Sequence, residues 1–137
     1  MIWIFLIIVI FILIFLASSD QSNKKNKNTL TREAIVFNLK DYPGEYDFSV
    51  SGVHLEPYIF PVLNYCIKYD VITLVLEPYN QYDCNAIKVE SSGWHIGYVP
   101  EYETHEIYEI IKKDHISYID NISKDGYITV TVKIRFK

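Results

Sequence analysis

From Tyr127 to Phe136 the chain alternates without a slip. Ile128, Val130, Val132, Ile134 and Phe136 take one parity; Tyr127, Thr129, Thr131, Lys133 and Arg135 take the other. Successive side chains on a strand point to opposite faces, so this segment is a strand with one apolar face and one wet face. It needs neighbouring strands and a second layer to cover it. Candidates recur along the chain. Tyr46–His54 places Phe48 and Val50 on one face, and VITLVL at Val71–Leu76 reads as a buried strand. Asn85–Glu90 and Trp94–Val99 flank Ser91-Ser92-Gly93 as a hairpin, and His115–Ile122 precedes the turn Ser123–Gly126. Glu33–Lys40 reads as a first strand or a short lead-in.

Two helices interrupt the strands. Pro57–Lys68 carries Ile59, Val62, Leu63, Cys66 and Ile67 at helical spacing, with Pro61 confined to the first turn. The second opens at Pro100 and runs to about Lys113 with Thr104, Ile107, Tyr108 and Ile111 inward. Its acids lie at the start and its lysines at the end, as the helix dipole favours. The predicted class is α+β, mostly β: a small OB/SH3-like β-barrel with two short helices, since closure removes exposed strand edges.

The 137 residues allow one domain once the N-terminal segments are set aside. Half the residues are hydrophobic and twelve are tyrosine, which excludes a disordered chain. From Glu45 to Lys137 there are 8 basic and 14 acidic residues, a net charge of −6. That balance opposes non-specific binding along duplex DNA. Cys66 and Cys84 lack metal-ligand spacing and read as reduced thiols.

Met1–Ala17 has no charge and no helix breaker. It is near the short end of what crosses a hydrocarbon core of about 30 Å. A basic n-region is missing and the apolar run outlasts a typical signal core, so a retained anchor is expected over a cleaved signal. Lys24, Lys25 and Lys27 follow the segment and no side-chain charge precedes it, which places the C-terminal domain in the cytoplasm. Residues 18–33 read as a polar linker and 34–137 as the domain.

One loop stands out: Glu77-Pro78-Tyr79-Asn80-Gln81-Tyr82-Asp83-Cys84-Asn85-Ala86-Ile87. Its Pro, Asn and Asp are turn formers, yet it also carries two tyrosines. A ring at Tyr82 or Tyr79 offers a stacking surface for a base, worth about 1–3 kcal/mol. Asp83 can accept a hydrogen bond from a terminal 3′-hydroxyl and repel a phosphate in its place. Asn80 can bond a base or a sugar, and Lys88 on the next strand is a candidate phosphate contact. The simpler alternative makes Asp83 and Asn85 turn caps and Tyr82 a hydroxyl-anchored core residue.

With Val50-Ser51-Gly52-Val53 upstream and Ile96-Gly97-Tyr98-Val99-Pro100 downstream, this loop resembles the HIRAN domain family over about Tyr46–Lys137. The resemblance implies an OB-type fold and binding of single-stranded DNA at its 3′ end. It assigns Asn80, Tyr82 and Asp83 to the DNA site. The chain departs from DNA-binding members after Gly52, where Val53, His54, Leu55 and Glu56 stand in place of an aromatic residue. Leu55 cannot stack; Tyr58 and His54 are the nearest rings.

P-loop, GxSxG, HExxH and dinucleotide fingerprints are missing from the sequence. The four histidines are scattered, and the acids Glu101, Glu103, Glu106 and Glu109 read as a solvated helix face. The expectation is a membrane-anchored, non-catalytic module without cofactor or metal, binding single-stranded nucleic acid at DNA 3′ ends. The alternative is a protein-interaction module that recruits a partner to the membrane.

Overall fold

The computed structural model describes residues 39–137. The apolar segment, the linker and most of the 33–40 stretch lie outside the described residues. After a 3-10 turn at Leu39–Asp41 come β1 (Gly44–Ser49), α1 (Ile59–Tyr65), β2 (Ile72–Leu76), β3 (Ile87–Ser91) and β4 (Trp94–Tyr98). A second 3-10 turn, Glu101–Glu103, leads into α2 (Thr104–Ile111), then β5 (His115–Ser123) and β6 (Thr129–Phe136). Among the described residues no helix is long and apolar enough to cross a membrane.

The strands form two antiparallel three-stranded sheets, β1-β6-β5 and β2-β3-β4. β6 lies between its partners, with Val132 opposite Phe48 on one side and Ile119 on the other. Val130, Val132 and Ile134 are fully buried, so the alternation in the sequence translates directly into one core face. They meet Ile87, Val89 and Ile96 of the second sheet in a single hydrophobic cluster. The β3–β4 hairpin turns through Ser92 and Gly93, whose φ angles of 51° and 83° are both positive. Such a turn matches the twist of the strands it joins.

The continuous barrel expected from the edge-strand argument does not form. The sheets touch along two seams, each a single bridge: Ser51 with Tyr98, and Val71 with Tyr118. At the first seam Ser51 N–H donates to Tyr98 O at 2.7 Å and Tyr98 N–H returns to Ser51 O at 3.0 Å. The ladder cannot lengthen there. Beyond Ser51 the chain turns away, with Leu55 N–H bonded to Gly52 O, and beyond β4 comes Pro100, which has no N–H to give. At the second seam the chain arrives through Tyr69, held at φ 70°, so only a short stretch runs beside β5.

Two further expectations change. VITLVL is an edge strand: Ile72 is buried, but Val71, Thr73 and Leu76 are exposed. Lying at the border of its sheet, β2 turns Ile72 to the core and leaves Val71 and Thr73 on its other face exposed. α1 is shorter than the apolar spacing suggested and sinks only Pro61, Val62 and, just past its end, Cys66; Leu63 and Ile67 stay exposed. α2 buries Thr104, Ile107 and Ile110, while Tyr108 turns outward.

Candidate functional site

The loop between β2 and β3 is shaped by its own side chains. Asn80 Oδ1 accepts from the backbone N–H of Tyr82 at 2.9 Å and of Asp83 at 3.1 Å. Asp83 Oδ1 accepts from Asn85 N–H at 2.8 Å. Both are local side-chain turns of the kind Asn and Asp favour. The base of the loop is closed by Glu77 N–H on Ala86 O at 2.9 Å. With the backbone satisfied in this way, the Tyr82 ring is thrown outward and is 89% exposed, so it is no core tyrosine. Asn80→Ala is expected to loosen the loop without unfolding the domain. Amide exchange at Tyr82 and Asp83 should quicken by roughly tenfold, the scale of one lost hydrogen bond. Unchanged exchange would show that the loop holds its form by other means.

Facing the loop is an aromatic wall. Tyr58, which immediately precedes α1, packs 4.5 Å from the His95 ring and 6.3 Å from Tyr98, while His95 meets Tyr98 edge-on at 4.8 Å. The Tyr98 hydroxyl donates to Glu77 Oε1 at 3.0 Å. Burial, followed by that hydrogen bond and the Glu77 charge, pushes the Tyr98 hydroxyl up to about 12, so it remains a donor. Between wall and loop lies an open groove of about 470 Å³, lined by Ser51, Tyr58, Tyr82, Asp83 and Tyr98 among others.

His95 Nε2 lies 3.0 Å from Gly97 O, which fixes the neutral ring with its proton on Nε2. Desolvation holds its pKa below the ordinary 6.5 despite that hydrogen bond. The unfolded chain therefore binds this proton more readily than the folded one. The contribution of His95 to stability is present above pH 6.5 and is lost as pH falls through its lower, folded pKa. Ring-resonance titration by NMR should give a midpoint under 6.5 for His95; a midpoint above it would mean the ring is solvated and paired.

Of the residues singled out by sequence, Asn80, Tyr82 and Asp83 come together on the groove. Tyr79, at 97% exposure, stands outside its lining. Lys88 is ion-paired to Glu90 at 2.7 Å and does not line the groove. The aromatic position left open after Gly52 is filled from further along: Tyr58 enters the groove, whereas His54 sits beside Tyr127 and Leu55 is exposed. Sequence reasoning missed Tyr98 and Glu77. Both lie inside the motifs Glu77-Pro78 and Ile96-Gly97-Tyr98-Val99-Pro100, and the register that sets Tyr98 opposite Lys88 is what brings β4 to the loop. Among the described residues no lysine or arginine lines the groove, and Glu101 is part of its lining. A second cavity of about 500 Å³ lies between the loop's Pro78 and Cys84 and α2's His105, Tyr108 and Glu109. Among the described residues no three His, Cys, Asp or Glu side chains gather as a metal site.

Residues 44–136 match the family model of the HIRAN domain. Among solved structures, the chain is similar to the crystal structure of the HIRAN domain of human HLTF, with a TM-score of 0.54 and 18% identity. That match covers 68% of this chain and 74% of the other. It is also similar to a Lactobacillus plantarum protein of known structure, with a TM-score of 0.48, 18% identity, and coverage of 69% and 100%. No curated protein sequence matches.

Proposed function

Because the chain belongs to the HIRAN domain family, we propose that its domain binds single-stranded nucleic acid, specifically a DNA 3′ end, without catalysing a reaction on it. The observation that carries this reading is the groove in which Asn80, Tyr82 and Asp83 face Tyr58 and Tyr98. Tyr82 presents an exposed ring for the terminal base, and base–aromatic stacking tolerates any sequence. The Tyr98 hydroxyl, its proton given to Glu77, leaves its oxygen as an acceptor and its ring as a surface on the opposite wall. Asp83 spends Oδ1 on the turn, which leaves its second oxygen to accept from a terminal hydroxyl. An acidic groove without a cation disfavours a continuing phosphate, and that discrimination suits an end. The apolar segment Met1–Ala17 would hold the domain at a membrane, on its cytoplasmic side.

The test is fluorescence anisotropy on the full chain in detergent micelles. Probes are short single strands ending in 3′-hydroxyl or 3′-phosphate, at low and moderate salt. The hydroxyl probe should bind more tightly, and Tyr82→Ala should weaken its binding by about tenfold. Equal affinity for both ends would remove the end preference. No binding to either would discard nucleic acid as the ligand and leave the protein-recruiting module as the reading to pursue.

A further inference from the structure

The groove leaves a strand's phosphates unmet. Among the described residues its lining holds Asp83 and Glu101 and no cation, and the nearby Lys88 is occupied by Glu90 at 2.7 Å. Any strand longer than its terminal nucleotides needs positive charge and stacking surface elsewhere.

Both are found along α1. Tyr58, a wall of the groove, is the residue from which α1 starts. Beyond it, Tyr65 stacks on Trp94 with centroids 4.9 Å apart and planes at 17°, and Phe60 meets Tyr65 edge-on at 5.8 Å. These three rings are 55%, 47% and 44% exposed for Phe60, Tyr65 and Trp94. Packed rings on a small domain ordinarily turn inward; these are half in water, a stacked Tyr65–Trp94 pair with Phe60 standing edge-on to it as one platform. One lysine is held on α1 itself and another follows it in the chain. Lys124 reaches across from the β5–β6 turn to donate to Leu63 O at 2.9 Å, and Lys68 lies over the Tyr69 ring at 5.0 Å.

The route from groove to platform is short. His95, in contact with Tyr58, is the chain neighbour of Trp94, and β4 is the outer strand of its sheet, so α1 lies alongside it. From Tyr58 to Tyr65 the helix rises about 10 Å, the span of roughly three stacked nucleotides.

Resting on the end-binding reading above, we infer that Phe60, Tyr65 and Trp94, with Lys68 and Lys124, form a second subsite for single-stranded nucleic acid, taking the nucleotides that lead into the groove. The groove reads the end; the platform grips the approaching strand by sequence-tolerant stacking and supplies the phosphate contacts that the groove lacks.

The experiment is a length series on the full chain in detergent micelles: 3′-hydroxyl single strands of two, four, six and ten nucleotides, measured by anisotropy. Wild type should gain about tenfold in affinity between two and six nucleotides and little thereafter. Trp94→Ala should flatten that gain while keeping the dinucleotide affinity. Phe60→Ala, at a more exposed ring, should reduce it in the same direction and serves where Trp94→Ala lowers the thermal midpoint. Lys124→Gln should make the six-nucleotide affinity less steep in salt by about one ion. Equal wild-type affinity at every length overturns the subsite and leaves the groove intact. Loss of binding at every length in wild type overturns the end-binding reading and this subsite with it.

Discussion

Gly97→Ala is expected to cost the domain about 3–5 kcal/mol, the largest effect of any single methyl group in the fold. Gly97 sits at φ 144°, where an L side chain is strained. A Cβ there would lie 2.3 Å from Ser51 O and 2.7 Å from Val50 Cγ1. The first of those atoms is the carbonyl that accepts from Tyr98 N–H at the seam between the sheets. The backbone must therefore move or lose its bridge, and no flexible side chain can yield instead. For a domain of this size the thermal midpoint should fall by roughly 15–30 °C. Circular dichroism on the full chain in micelles measures it. A fall under about 5 °C would show that the seam relaxes freely.

Ile134→Ala is expected to cost about 3–4 kcal/mol. The residue is fully buried in β6, between β1 and β5, opposite Tyr46 on one side and Ser117 on the other. No element can collapse into the space, because β6 is fixed by ladders on both edges. The control is Leu76→Ala in β2, where the side chain is 44% exposed and the loss should stay below about 1 kcal/mol. Comparable losses at the two sites would contradict the placement of the core.

That pair of substitutions also marks how far the sequence could be read. β6 was legible because its alternation states which face is covered. VITLVL states only that both faces are apolar, and whether a second layer covers the outer one depends on where the strand falls in its sheet. β5 shows the opposite case. Ser117, Tyr118 and Ile119 are all buried, although HISYIDNIS has no run to announce it. The seam at Val71 and the chain arriving through Tyr69 cover the side that would otherwise be wet.

The site divides in the same way. Asn80, Tyr82 and Asp83 are neighbours in the chain, and turn chemistry determines their arrangement. Tyr58 and Tyr98 come from α1 and β4, and their approach depends on a bulge between Val89 and Glu90 that shifts the hairpin register. Gly97, at φ 144° within β4, is the one local mark of that shift, and it does not say which rings the shift brings together. Lys88 was a reasonable phosphate contact by position, but Glu90, two residues on along the same strand, takes its charge.

The groove lies across one of the two lines where the sheets are barely stitched. Ser51 lies two residues beyond β1, Tyr98 ends β4, and both line it. An occupant touching both walls would act as a clasp on a joint held by two backbone hydrogen bonds. By mass action, whatever binds the folded form alone stabilises it with the logarithm of its concentration, by about 2.7 kcal/mol at a hundredfold excess over its dissociation constant, and raises the melting point accordingly. Occupancy of the groove would thus be readable as heat resistance, with no label on protein or ligand.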